Sequence, residues 1–530
     1  MTQEIFFGRK NQLDILNKRV LGLKEGYRQN LAIIGDELIG KTSLITKFLS
    51  EFCDNHILAV YIEARPESIA SFSKRFIATL LYSFLMNSAI SLKEDLDFLT
   101  VKSSKYAPKT CEKIKSILSA VEKRKKSQVM TDLFSLCEVI AQETHKSCVV
   151  IIDEFHNLES LGSRSLYAEW SKLLLTQKKT MYIITSSLKF KAKNILSKNL
   201  SLLFGNFHLI QLEPFDIKTS HAYLKQKLEG CGLQEGLKNF IIHFTGGHPF
   251  YLKIISERIL KSGSRELARV MEDLLFDPSG ILNQKFSNYL KRFLDLRNSQ
   301  DYISMLHFIS TGHNKIKEIS HLMRKPRKEL NSKINHLMEV DTLTRNGDFL
   351  NINDRVFAFW MKFVYQEKIN ALSFDAKNQR DAFRKNIELM IEEFMRNSEK
   401  PVSERIADLL RLFEDETVNI EQRRIRLNHF REIKPLEFDN INLKSGIICR
   451  SQEGLWVIAF KSDFLTEEDI SLFSKECKKY RHKLQRRIIV AMKDIDSNAR
   501  LRALEEKILT WDLNSLNQIL DLYYRPRVII

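Results

Sequence analysis

"LAIIGDELIGKTSLI", residues 31–45, decides the fold. The apolar run 31–34 has the length and composition of a buried strand, and Gly35 ends it. From Gly40-Lys41-Thr42 onward, "KTSLITKFL" spaces its apolar residues as an amphipathic helix does. Strand, Gly-x-x-x-x-Gly-Lys-Thr and helix, in that order, predict a phosphate-binding loop. Gly35 and Gly40 let the backbone bend, so that amide N–H groups from Gly35 through Ile39 to Ser43 turn inward and cradle phosphate oxygens. The helix adds its unsatisfied N–H groups and the positive end of its dipole. Lys41 reaches β- and γ-phosphates, and Thr42 offers its hydroxyl to Mg²⁺. Asp36 and Glu37 are odd company for a polyphosphate. They occupy variable positions of the loop, where side chains are expected to face water.

A second buried strand is predicted in "SCVVIIDEFHNL" (147–158), ending in Asp153-Glu154. Asp153 is placed to hold Mg²⁺, and Glu154 is the candidate general base for the water that attacks a γ-phosphate. A third, "TMYIITSS" (180–187), ends in Thr185, Ser186 and Ser187. Either one of these hydroxyls, with Ser187 the candidate, senses the γ-phosphate or its water, or they only cap the strand end. Further strands are predicted at 57–64 and 208–215, and a largely helical interval at 66–146 with the basic run "VEKRKKSQ". Five strands alternating with helices imply an α/β fold with a parallel, helix-flanked sheet.

The chain has 530 residues, enough for several domains, with 44% hydrophobic and 28% charged residues. Lys and Arg number 83 against 66 Asp and Glu, a net charge of +17. That excess favours a polyanionic partner, nucleic acid first, unless the lysines only solubilise the surface. No apolar run approaches the ~20 residues of a membrane span. The N-terminus lacks the pattern of a secretion signal. The seven cysteines are scattered without ligand spacing, so a cytoplasmic protein with free thiols is expected.

With these residues in view, positions 1–365 resemble the archaeal-type ATPases of the STAND branch of P-loop NTPases, relatives of AAA+ proteins. "FFGRKNQLDIL" (6–16) is similar to the family's aromatic-Gly-Arg-Glu opening, with Lys10 where Glu is usual. The phosphate loop and "IIDEF" follow, and "FTGGHPFYLK" (244–253) resembles the Gly-Gly-x-Pro signature of a helical lid. The resemblance implies ATP as ligand, Arg9 and the turn to Pro249 near the nucleotide, and a lid over residues 216–298 whose closure makes a switch. It also leads us to expect an arginine where Asn206 stands. A well-placed arginine is worth on the order of 10³ or more in rate. Its replacement implies slow turnover, or an arginine supplied by a second copy of the chain.

Residues 299–365 match a winged helix, both physically and by resemblance. Two helices precede "RKPRKELNSKINHLMEV" (324–340), whose Arg324, Lys325, Arg327, Lys328 and Lys333 lie near the start of a third. "TLTRNGDFLNI" then predicts a hairpin turning at Asn346-Gly347. The basic helix is expected to enter a major groove of double-stranded DNA while the wing approaches the backbone. The alternative is a module that only packs on the nucleotide site.

A charged helical connector is expected at 366–430, followed by an α/β domain at 431–530. "SGIICRSQ", "LWVIAFKS" and "RRIIVAM" predict strands. "TEEDISLFSKECKKYRHKL" predicts a helix with Thr466 and Asp469 as its capping box. The order resembles restriction-endonuclease-like domains, which place Glu-x-Lys on one strand to hold Mg²⁺ and polarise water. Here the tripeptide is Ala459-Phe460-Lys461, and the first acid is Asp439 or Glu437. Without the glutamate an inactive domain is expected, with DNA contact or a solvated face at "KKYRHKLQRR" (478–487).

Overall fold

Asn30–Gly35 forms β1, and all six residues are buried. Its uninterrupted apolar run follows from its place between β4 (Thr180–Ser186) and β5 (Phe207–Leu212), with both faces covered. β2 (Ile57–Glu63) and β3 (Ser147–Asp153) extend the sheet in the order β2-β3-β4-β1-β5, every pair parallel. Alternate β1 residues serve opposite faces. Ala32 and Ile34 join one core with Phe76, Phe134 and Trp170, while Leu31 and Ile33 join another with Leu44 and Phe48. Among the described residues, the helices Ile69–Leu85, Leu96–Ser103, Pro108–Glu122 and Lys126–Glu143 lie between β2 and β3. The fifth strand stops earlier than predicted, at Leu212, because Pro214 has no N–H to continue a ladder.

The structure is a computed structural model that describes residues 6–86, 95–123, 126–161, 166–200, 207–263, 266–365, 376–420, 423–438, 443, 445–480 and 482–529. Asn206, Asp439 and part of the basic run at 121–128 lie outside the described residues. The chain divides into two compact units. The first holds the parallel sheet through Phe215, with His248–Phe250 and Glu339–Asp341. The second holds the remainder. No described helix is long and apolar enough to cross a membrane.

The second unit begins with helices that include Ile217–Lys227, Glu235–Thr245 and Ile281–Leu294. Ser299–Ser310, Ile316–Leu322 and Arg327–Glu339 follow, then a hairpin of β6 (Leu343–Asn346) and β7 (Phe349–Ile352). Asn346 pairs with Phe349, so the two-residue turn is Gly347-Asp348, one residue later than predicted. Gly347 supplies the positive φ, 62°, at the first turn position.

The stretch expected to be a helical connector keeps its helices at Ala376–Glu399 and Val402–Leu410, but then becomes a second hairpin. β8 (Glu416–Ile420) pairs antiparallel with β9 (Arg423–Leu427). Period-two burial explains it: Val418, Ile420, Ile425 and Leu427 enter the core, while Arg424 and Arg426 stay outside. A five-stranded sheet closes the chain in sequence order, β10 (Glu432–Glu437), β11 (Ser445–Arg450), β12 (Leu455–Lys461), β13 (Leu484–Ala491) and β14 (Leu509–Trp511). Its first three strands are antiparallel, and β12, β13 and β14 run parallel.

The helix before β13 is shorter than expected, Glu467–Cys477, and the capping box Thr466–Asp469 starts it. The basic run at 478–487 therefore splits between a short turn and β13. Arg487 is spent on Ser474 and the Glu506 carbonyl, and Arg486 lies over the Trp456 ring at 4.7 Å. The terminal segment ties back within this unit: Asp521 takes both Arg355 and Arg527, Arg405 donates to the Pro526 carbonyl at 2.7 Å, and Asn314 donates to the Leu522 carbonyl at 2.8 Å. Burial alone would raise the Asp521 carboxyl, but the two guanidinium groups more than offset it and hold it well below the usual range.

Candidate nucleotide site and candidate nucleic-acid face

Gly35 is sterically required where β1 ends. A Cβ there would lie 2.6 Å from the Leu212 carbonyl oxygen and 2.9 Å from Ile39 Cγ2. Ile39 is buried beneath the loop. Gly40 has φ 102° and caps the helix Lys41–Glu51 from a conformation that side chains rarely adopt. Lys41 is 4% exposed, and its ammonium donates to the carbonyls of Gly35 (3.1 Å) and Asp36 (2.9 Å). Burial lowers its pKa, opposed by Glu154, Asp153 and Asp36. Thr42 and Ser43 are exposed on the first turn.

The ends of β3 and β4 converge on this loop. Thr42 Oγ1 donates to Asp153 Oδ2 at 2.8 Å, and the Tyr61 hydroxyl donates to the same oxygen at 2.8 Å. A hydroxyl and a carboxylate form a hard-oxygen set that suits Mg²⁺, so the residues fit that ion. Glu154 has a positive φ of 52°, unusual for a non-glycine, and this turns its side chain away from the strand direction. Its Oε2 accepts from the Ser187 N–H (2.8 Å) and hydroxyl (2.9 Å), and its Oε1 lies 3.8 Å from the Lys41 ammonium.

The three hydroxyls ending β4 each have a partner on the β3 end: Thr185 on Asp153, Ser186 on His156 (2.9 Å) and Ser187 on Glu154. His156, Tyr61 and Lys189 also meet these residues, and no sequence motif marks them. His156 follows Glu154 by two residues, which was the available signal. Burial, helped by Lys191 and Lys41, pushes the His156 pKa down to about 4. The imidazole is therefore neutral at pH 7, and its 3.3 Å approach to Glu154 is not an ion pair. Asp36, expected to face water, instead pairs with the Lys189 ammonium at 2.7 Å, while Glu37 is exposed. Arg9 donates to the Glu213 carbonyl, with its guanidinium 5.0 Å from the Phe215 ring centre. Pro249 opens the helix Pro249–Ser262 after Gly246 and Gly247, both with positive φ.

In the second unit the expected basic helix is partly neutralised. Lys325 pairs with Asp301 (2.7 Å) and Glu329 (2.8 Å), and the buried Lys333 pairs with Asp301 at 3.3 Å. Arg324, Arg327 and Lys328 remain exposed. The β8–β9 hairpin is hydrogen-bonded to the β6–β7 turn, in which Asp348 stays exposed. Asp348 N–H donates to the Thr417 carbonyl (3.0 Å), and Thr417 N–H returns to the Asp348 carboxylate (2.8 Å). Asn419 N–H donates to Asn346 Oδ1 at 2.6 Å, and Asn346 Nδ2 to the Asn419 carbonyl at 3.1 Å.

Ala459, expected from the sequence to stand in place of a glutamate, is fully buried among Phe438, Phe473 and Ile489. Lys461 donates to Asp469 Oδ1 at 3.0 Å, and Asp469 is the 1%-exposed carboxylate that caps the next helix. Glu437 ends β10 opposite Ser445. Among the described residues no group of three or more His, Cys, Asp or Glu is arranged to hold a metal ion.

Residues 6–255 match a family model described as an ATPase domain predominantly from Archaea. Among solved structures the chain is similar to the Walker-type ATPase paby2304 of Pyrococcus abyssi, with 20% identity and a TM-score of 0.51 over 68% of this chain and 97% of that one. It is also similar, at 14% identity and a TM-score of 0.42, to the ORC2 protein of Aeropyrum pernix in ADPNP-ADP complexes, over 70% of this chain and 98% of that one. No curated protein matches it. The first likeness establishes a P-loop Walker-type fold, and the family match identifies a nucleotide-binding, ATPase-type domain in residues 6–255.

Proposed function

We propose that the chain is an ATP-binding, slowly hydrolysing switch whose nucleotide state governs how its downstream modules engage double-stranded DNA. The observation that carries this reading is the convergence of Lys41, Thr42, Asp153 and Glu154, with Thr42 and Asp153 joined at 2.8 Å and Glu154 beside them. In this reading the backbone from Gly35 through Ile39 and Gly40 to Ser43 cradles the phosphates, Lys41 binds β- and γ-oxygens, and Thr42 and Asp153 hold Mg²⁺. Mg²⁺ held by Thr42 and Asp153 would supply positive charge to offset that developing on the phosphate. Glu154 takes the proton of the attacking water, and Ser187 orients Glu154 through its two hydrogen bonds. Arg9 and Pro249 border the nucleotide, and helices 216–298 act as its lid.

The module at 299–365 acts as a winged helix that touches DNA through Arg324, Arg327 and Lys328. The domain at 431–530 is a restriction-endonuclease-like fold without nuclease activity, since Ala459 has no ligating atom and Lys461 is engaged by Asp469. The tying of the turn at Gly347-Asp348 to the second hairpin favours a second reading, a cytoplasmic nucleotide-sensing scaffold that assembles with proteins or with itself and never meets DNA.

Duplex-DNA binding measured across a salt series, with Mg-ATP and with Mg-ADP, separates the two. Neutralising phosphates makes affinity fall steeply with salt. A steep slope whose affinity depends on the nucleotide supports the switch. Binding absent at low salt with both nucleotides supports the scaffold.

A further inference from the structure

Asp36 is the first residue after Gly35 in a loop built for a polyanion, and it carries two ammonium groups. Its carbonyl accepts from Lys41 at 2.9 Å, and its carboxylate pairs with Lys189 at 2.7 Å. We propose that Lys189 is a second phosphate-contacting cation, positioned by Asp36, which exchanges that carboxylate for γ-phosphate oxygens of ATP. The inference rests on the reading that the loop binds ATP.

Three features support it. The tetrapeptide Ser186-Ser187-Leu188-Lys189 touches both halves of the site, since Ser187 holds Glu154 and Lys189 holds Asp36. Its path is fixed: Ser186 Oγ accepts the Leu188 N–H at 3.1 Å and donates to the Leu188 carbonyl at 3.2 Å. Beyond it, the Phe190 N–H donates to both oxygens of Asp341 at 3.1 Å, which pins the start of the helix Lys189–Asn194.

The ion pair itself is exchangeable. The side chains of Lys189 and Asp36 are 21% and 29% exposed, and pairs open to solvent are weak. A lysine is a compact charge on a flexible four-carbon stem, so it reaches a neighbouring oxygen without moving the backbone. An acidic residue in the loop then has a physical role, since it keeps the second ammonium at the phosphate site and not in bulk water.

The test uses the full chain and measures equilibrium binding of Mg-ATP and Mg-ADP and phosphate release, for wild type, Lys189→Ala, Lys189→Arg, Asp36→Asn and Lys41→Ala. Lys189→Ala is expected to keep ADP affinity within about threefold and to lose about tenfold in ATP affinity, as a lost charge-assisted contact to one phosphate does. Its turnover falls at least about tenfold, and Lys189→Arg restores part of both. Asp36→Asn leaves the Lys189 ammonium without its anchor, and the ratio of ATP to ADP affinity is expected to fall. Lys189→Ala with an unchanged ratio of ATP to ADP affinity and unchanged turnover overturns the proposal, as does an equal loss for both nucleotides. Wild type that binds neither nucleotide, or Lys41→Ala that binds both as wild type does, overturns the ATP reading itself and this inference with it.

Discussion

Substituting Gly347 by alanine tests the union of the two hairpins. A Cβ at this position would lie 1.8 Å from the Thr417 carbonyl oxygen and 2.6 Å from its carbon, both backbone atoms. An ordinary carbon–oxygen contact is about 3.3 Å, so the hairpins must separate by roughly 1.5 Å. That displacement breaks the reciprocal Asp348–Thr417 pair, at 3.0 and 2.8 Å, worth about 1 kcal/mol for each bond. Alanine at φ 62° adds about 1 kcal/mol of backbone strain. The sum, about 3 kcal/mol of local stability, corresponds to roughly 150-fold faster amide exchange where opening is at equilibrium.

Hydrogen exchange on peptides spanning 343–352 and 414–428 reads this directly. Gly312→Ala is the control, because Gly312 also has a positive φ, 106°, but nothing lies within 4 Å of its Cβ. It carries the strain without the clash. Gly347→Ala that exchanges like the Gly312 variant, or within about threefold of wild type, would refute the packing argument. The variant also bears on DNA. If the β8–β9 hairpin masks the turn from a duplex, releasing it raises affinity; if the turn never meets DNA, affinity is unchanged.

Three further outcomes are expected. His156 has a folded pKa of about 4 against an ordinary 6.5, so the unfolded chain binds the extra proton between those values. Stability conferred by the neutral ring is complete above about pH 6.5 and is lost as pH falls toward 4, by up to about 3 kcal/mol; chemical denaturation of wild type and His156→Gln across that window gives a steeper slope for wild type. Ala459→Glu creates a Glu-x-Lys tripeptide but buries a carboxylate in an apolar core, and is expected to lower stability by about 3 kcal/mol or more without Mg²⁺-dependent nicking; nicking by a well-folded variant refutes the inactive-domain reading. Arg327→Ala and Lys328→Ala, if these residues meet phosphates, each flatten the salt dependence of duplex binding by about 0.9 in log–log slope, whereas Lys325→Ala, already paired with Asp301 and Glu329, changes it less.

The parallel sheet was legible because its strands are continuous apolar runs ending in residues with distinctive chemistry. Gly35 and Gly40 are demanded by the backbone, so the loop announced itself. The turn at Gly347 was one residue off because Asn-Gly scores well as a turn pair whichever partner the strand keeps; here Asn346 remains in the ladder and lends its amide to Asn419. The hairpin at 416–427 was hidden by charge. Its outward arginines dominate the composition, and only the alternation of Val418, Ile420, Ile425 and Leu427 reveals a strand. At the candidate nucleotide site the convergence of residues from the loop and from the end of β3 was legible in sequence. The convergence of Tyr61, His156 and Lys189 was not, since it depends on strand order and on a side-chain exchange between positions far apart in the chain. Asp36 shows the same limit, for its ion-pair partner Lys189 lies far downstream in the chain.

The most direct test of the central claim is phosphate release from Mg-ATP by wild type and Glu154→Gln, with ATP binding measured on the same samples. The account predicts slow release by wild type and a loss of about 100-fold or more in the variant, with ATP still bound, because glutamine keeps the shape of the side chain but cannot take a proton. Equal release by both proteins would contradict Glu154 as the base. Failure of both to bind ATP would contradict the function assigned to the loop at 35–42.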